Sequence, residues 1–196
     1  MKIHDTAEVS SNAKLGRDVT VWHFSRIREG AVIGDEVNIG ANVYIGPGVN
    51  IGDRCKVQNS AQIFEPAILG DGVFIGPSVI LTNDRNPRAV NLEFLPKSEL
   101  DWEKEGVKVS RGASIGAGAI CVAPIHIGAW SMVAAGSVLV KDAPEYSLMA
   151  GVPAKQIGWV GEAGLKLEKT GANKWKCPKS QSIYELSNTG TLTKVT

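Results

Sequence analysis

Six consecutive residues, Asn83-Asp84-Arg85-Asn86-Pro87-Arg88, put carboxamide, carboxylate and two guanidinium groups into one short stretch. Planar guanidinium forks match phosphate and carboxylate oxygens, so Arg85 and Arg88 are candidate anchors for an anionic ligand. Asp84 is a candidate general base, weakened by two positive neighbours that favour its ionised form. The histidines, His4, His23 and His126, include no close pair, which argues against zinc chemistry built on converging imidazoles. The cysteines, Cys55, Cys121 and Cys177, are odd in number and widely spaced. They form no disulfide framework and fit a reducing compartment.

The 196-residue chain has a formal net charge of +1, so it carries no basic field for nucleic acid. No apolar run reaches membrane-spanning length, and the start, MKIHDTAEV, has no apolar signal-peptide core. The expectation is a cytoplasmic protein with neither nucleic-acid nor membrane partners.

What must position these groups is a repeat. Stepping by six from Ile3 to Leu81 meets fourteen aliphatic residues in a row, through Ile27, Ile39, Ile51, Ile63 and Ile75. Four residues after each comes a small or β-branched side chain, such as Ala31, Val43, Cys55 or Val73. The rhythm restarts at Val109 and runs through Ile115, Cys121, Ile127, Val133 and Leu139. A six-residue period suits a short strand plus a turn, three of them making one triangular coil. Stacked coils bury an aliphatic column while their backbones pair from rung to rung. The fold class is therefore an all-β parallel solenoid over residues 1–159, with a loop extruded at about 83–107.

The loop interrupts the repeat without ending it, so it hangs outside the tube, and long loops of this kind tend to be functional. Its middle, with Leu92, Phe94, Leu95 and Trp102, is too apolar for a solvated flap and is expected to pack on a partner subunit. His23 falls in one column with Ala41 and Asn59, eighteen residues apart, and that column is expected to face a cleft beneath the loop. Glu65 belongs to the column of Asn83. Residues 160–196 form a small extension: EAGLKLEK reads as one or two helical turns, and the rest as a hairpin turning at Ser-Asn-Thr-Gly.

The repeat, with the strings VWHFSRI (21–27), KVQNSAQIFE (56–65), TNDRNPRA (82–89) and GVPAKQIGW (151–159), resembles the hexapeptide-repeat nucleotide-sugar N-acetyltransferases. The likeness is to those acting on UDP-2-acetamido-3-amino-2,3-dideoxyglucuronate. Related enzymes use dTDP-linked 3-amino- or 4-amino-6-deoxyhexoses, and the family supplies surface polysaccharides. The resemblance implies a left-handed β-helix, a homotrimer with active sites between subunits, acetyl-CoA as co-substrate and no metal. It places Asn83 at the reacting centre, where its carboxamide would aim the sugar amine's lone pair at the thioester, and leaves Asp84 as the weaker alternative. For such a substrate, the columns make His23, Asn59 and, less strongly, Glu65 candidate sugar contacts, and the guanidinium forks make Arg85 and Arg88 candidate substrate anchors. The resemblance also implies that the pantetheine arm lies along small residues of the late coils, Ala117, Gly118 and Ala135, with Lys155 near the CoA phosphates. A non-enzymatic trimeric scaffold is the remaining alternative.

Overall fold

The structure is a computed structural model that describes residues 1–98 and 101–196. Glu99 and Leu100, inside the expected loop, lie outside the described residues. Short strands wind into a left-handed parallel β-helix with three faces. Face A runs from Lys2–Ile3 through Thr20–Val21, Asn38–Ile39 and Lys56–Val57 to Met132–Val133. Face B runs from Glu8–Val9 through Tyr44–Ile45 and Ile80–Leu81 to Val138–Leu139, and face C from Lys14–Leu15 to Ile125–Ile127.

Register follows from the period. Thr20 and Val21 pair in parallel with Asn38 and Ile39, which pair with Lys56 and Val57. In the two-residue strands the second side chain points into the prism and the first points out, as in Asn38–Ile39 and Gln62–Ile63, even where the first is aliphatic, as in Ile68–Leu69. Ile39, Ile45, Ile63, Ile75, Ile115 and Ile127 are wholly buried in one continuous core. Burying an isoleucine stabilises by about 1.5–3 kcal/mol, so a column of them offsets the entropy of ordering so many short turns. Ile3 departs from the pattern at 40% exposure, and Val9 and Leu15 are only partly buried. All three belong to the first coil, which is packed on one side only.

The loop leaves the tube after Leu81, at the edge between faces B and C. Strand Val107–Val109 resumes the stack, so Val107, the last residue of the expected loop, is a buried strand residue instead. Ile80 pairs with Ile120 and Leu81 with Cys121, so the coils above and below meet in unbroken register.

The end of the chain corrects the sequence reading. Strands Ser147–Gly151 and Ala154–Trp159 form an antiparallel hairpin on face A, closing the solenoid. Beyond it no helix forms among the described residues. Glu168–Lys169, Lys174–Lys176, Ile183–Leu186 and Leu192–Lys194 make a four-stranded antiparallel sheet. The expected helical turns fail at Gly161-Glu162-Ala163-Gly164, where a tight turn closes with Gly164 N–H on Gly161 C=O and Gly164 at a φ of 74°. Leu167 is then buried in a second small core with Cys177, Tyr184 and Leu192. The turn at residues 187–190 joins the last two strands as expected.

Candidate active site

The three edges of the prism decide which side chains can meet. Edge AB, between faces A and B, carries the column His23, Ala41, Asn59, Pro77, Ala117 and Ala135. Its rungs are tied by Asn42 N–H to His23 C=O, Ser60 N–H to Ala41 C=O, Ser78 N–H to Asn59 C=O, Gly118 N–H to Pro77 C=O and Gly136 N–H to Ala117 C=O. His23 and Asn59 thus share one edge with the three late-coil residues. Ala117, Gly118 and Ala135 are exposed, and a Cβ on Gly118 would meet nothing within 4 Å, so this part of the ridge is bare. Lys155 is exposed on the closing hairpin, whose Gly151 N–H donates to Ser137 Oγ at 3.1 Å beside the same ridge.

Near the other end, His23 and Asn59 line a cavity of about 400 Å³ with Trp22, Asn38, Gly40, Ala41 and Gln58. His23 packs against His4, ring centroids 3.6 Å apart and planes tilted by 31°, and lies nearly parallel to Trp22 at 6.1 Å. Asn59 Oδ1 accepts the Ala41 N–H at 2.9 Å. One lone pair of its carbonyl is thereby used on the coil below, and its NH2 is left to donate to a ligand. Sequence reasoning missed Trp22, Asn38 and Gln58. The signal was the eighteen-residue spacing of Trp22, Gly40 and Gln58, parallel to that of His23, Ala41 and Asn59.

Edge BC carries Glu65 and Asn83. Asn83 is partly buried at the loop's root, where its C=O accepts the Glu105 N–H at 3.3 Å and its carboxamide has no partner among the described residues. Asp84 Oδ1 accepts the Asn86 N–H at 2.8 Å in a tight turn, and Asp84 forms no ion pair with either arginine. Asp84 and Arg85 line a cavity of about 470 Å³ with Asn86, Lys97, Asp101, Trp102, Glu103 and Glu105. Arg88 faces a neighbouring cavity with Val90, Asn91 and Leu92. Backbone and hydroxyl groups of Ser98 both donate to Asp101, which holds its carboxyl below the ordinary range.

Within one chain, therefore, the structure does not bring the His23 column beneath the loop. Column and loop stand on the two opposite edges of face B, because the loop replaces a BC turn whereas His23 sits in an AB turn. The loop is nonetheless built rather than slack. Asn91 Oδ1 caps the N–H groups of Glu93 and Leu95, and Val90 bridges Pro96. This small hairpin holds Leu92, Phe94 and Leu95 out in solvent, Phe94 at 82% exposure. Among the described residues no group of three or more His, Cys, Asp or Glu is placed to hold a metal ion, and no helix is long and apolar enough to cross a membrane.

Comparisons with known proteins agree with this architecture. Residues 30–65 match the bacterial transferase hexapeptide family (six repeats), and residues 106–141 match the hexapeptide repeat of succinyl-transferase. A 60-residue stretch is 47% identical to dTDP-3-amino-3,6-dideoxy-alpha-D-galactopyranose 3-N-acetyltransferase of Aneurinibacillus thermoaerophilus, covering 31% of each chain. A 54-residue stretch is 50% identical to serine acetyltransferase 4 of Arabidopsis thaliana, covering 28% of this chain and 15% of that protein. The matches thus span less than a third of either relative's length. The crystal structure of a hexapeptide-repeat acetyltransferase of Vibrio cholerae complexed with acetyl coenzyme A superposes with a TM-score of 0.54 at 22% identity, over 66% of this chain and 70% of that one. Its repeat, its register and its three-faced parallel stack are those of the hexapeptide-repeat β-helix fold, whose repeats residues 30–65 and 106–141 match.

Proposed function

We propose that the protein is an acetyl-CoA-dependent N-acetyltransferase acting on the amine of a nucleotide-diphosphate-linked 3-amino sugar in surface polysaccharide synthesis. The observation that carries this reading is the single edge AB. Its bare late-coil ridge at Ala117, Gly118 and Ala135 runs on from the polar pocket at His23 and Asn59. A thioester arm needs close backbone approach, which small side chains permit. An acceptor needs polar anchors, which the other end supplies. The 47% identical stretch of a dTDP-3-amino-sugar 3-N-acetyltransferase supports the 3-amino position. UDP is the first choice of nucleotide from the sequence strings, and dTDP is favoured by that relative.

The reading requires a trimer. The loop of one subunit crosses to edge AB of its neighbour, its apolar tip against the neighbouring prism, and brings Asn83 to the reacting centre. Arg85 and Arg88 travel with it toward the diphosphate, and Glu65, below Asn83 on the same edge, faces the sugar. The amine nitrogen attacks the thioester carbonyl, the C–N bond forms, and the C–S bond breaks. Asn83 Oδ1 accepts one amine N–H and so aims the lone pair. The departing sulfur takes the proton, with Asp84 as the alternative acceptor. Lys155 meets the CoA phosphates.

A thiol-release assay with acetyl-CoA against UDP- and dTDP-linked 3-amino and 4-amino sugars tests the proposal. The expected result is turnover confined to nucleotide-linked 3-amino sugars. Silence across the panel overturns it.

A further inference from the structure

The pocket on edge AB has a form that the acetyl-transfer reading does not by itself require. It is a slot two rungs tall. Trp22 and His23 form its lower wall, Gly40 and Ala41 its floor, and Gln58 and Asn59 its upper wall. Rungs of a sheet are about 4.8 Å apart, so Trp22 and Gln58 stand roughly 10 Å apart, with Asn38 and the Asn59 carboxamide, which reaches down to Ala41, between them. Gly40 is fixed by packing, since a Cβ there would lie 2.7 Å from Asn59 N. The slot is therefore a standing feature of the coil.

The lower wall is aromatic and held rigid. Trp22 Nε1 donates to Asn38 Oδ1 at 3.2 Å, and Lys2 Nζ lies 4.9 Å from the ring centroid. His23 is backed by His4. Trp22 nevertheless stays 36% exposed. The upper wall consists of amides with fixed and complementary offers. Asn59 Oδ1 is bound to Ala41 N–H, which fixes the carboxamide with its NH2 as the donor left for a ligand. The Gln58 carboxamide is half-buried and makes no hydrogen bond among the described residues, so it offers both a donor and an acceptor.

We infer that this slot binds the pyrimidine base of the nucleotide, stacked on Trp22 and His23 and read at its carbonyl edge by Gln58 and Asn59. A flat ring fills a gap that is apolar on one side and polar on the other. The edge of a pyrimidine-dione presents acceptor, donor and acceptor in turn. Gln58 matches one acceptor and the N–H, and the Asn59 NH2 matches the other acceptor. Adenine's pairing edge presents one donor and one acceptor, with C2–H where a pyrimidine-dione has its second carbonyl, so one of the two amides would lose its partner. The inference rests on the nucleotide-sugar reading above and adds the place of the base and the residues that select it.

Calorimetric binding of UDP, dTDP and ADP, without any acetyl donor, tests this apart from catalysis. UDP or dTDP is expected to bind at least ten-fold more tightly than ADP. Trp22→Ala is expected to weaken UDP or dTDP binding about ten-fold, the usual cost of losing one stacked base. Trp22→Phe retains it within about three-fold, because a ring remains. Gln58→Leu narrows the preference over ADP. Equal binding of all three nucleotides, unchanged affinity in Trp22→Ala, or no binding of UDP and dTDP to the wild type each overturns the base slot. Thiol release with an amino-sugar acceptor in that last case would leave the acetyltransferase reading standing.

Discussion

Glu105 N–H donates to the Asn83 carbonyl at 3.3 Å, so the two ends of the extruded loop are joined across its root. The backbone of Asn83 is held by this bond while its carboxamide has no partner among the described residues. Asn83→Ala should therefore lower kcat about 100-fold, the scale on which losing one positioned polar group acts, with little change in melting temperature. Steady-state thiol release beside a thermal melt checks both halves. Turnover near the wild-type rate would show that another group orients the amine.

Asn59 carries a structural bond and a proposed ligand bond on different atoms. Asn59→Asp keeps the acceptor for Ala41 N–H and removes the NH2, so it should fold with wild-type stability but raise KM for the sugar nucleotide. Asn59→Ala should lose about 1 kcal/mol of stability as well, since it leaves the Ala41 N–H unpaired. Urea unfolding and steady-state kinetics on the two variants separate these effects.

Lys155 lies at the far end of the same edge. Lys155→Ala should raise KM for acetyl-CoA by about three- to ten-fold, in keeping with one solvated contact to phosphate, and leave KM for the sugar unchanged. The KM difference should shrink as salt is added. An unchanged KM for acetyl-CoA at low salt would remove Lys155 from the phosphate site.

The loop tip tests the assembly. Leu92, Phe94 and Leu95 project from one ordered hairpin, an arrangement that a solitary chain leaves in water. Phe94→Asp should shift the protein from trimer toward monomer in sedimentation equilibrium and abolish turnover with it. A wild-type protein that sediments as a monomer would remove the trimeric site.

Two core thiols make stability depend on alkaline pH. Burial pushes Cys55 up to about 11 and Cys121 up to about 12. Unfolded thiols ionise near 9, so the unfolded state gives up protons first as pH rises. The contribution of each thiol is whole below about 9 and is lost through the alkaline window up to its folded value, at up to about 1.4 kcal/mol per pH unit. Cys55→Val, matching its stack neighbours Val37 and Val73, should flatten that slope in urea titrations between pH 8 and 11. An identical slope would show that other groups set it.

Most of the fold was legible because one rule repeats. Ile39, Ile63 and Ile115 sit inside because the period that places one places all, and the pairing of Ile80 with Ile120 shows that the count survived the interruption. Legibility ended where the rule did. The stretch around Leu167 has helical spacing, yet Gly164 turns the chain and cross-strand partners decide the outcome. The site was legible by columns but not by edges. His23 and Asn59 were correctly aligned, whereas their relation to Asn83 depends on which turn of the triangle each occupies. Trp22 was overlooked because its meaning comes from Gly40 and Gln58, neighbours that only the coil supplies.

The loop has a wider consequence. Neighbouring rungs are normally offset by eighteen residues, as Gln62 is from Ile80, and the rung that spans the loop is offset by forty, as Ile80 is from Ile120. The difference, 40 − 18 = 22 residues, is inserted at a corner and leaves the phase of the stack untouched. Such a corner works as a socket: what is plugged into it can be lengthened, shortened or exchanged among homologous scaffolds while the tube keeps its shape. Acceptor choice could then diversify by swapping one segment, at little risk to folding.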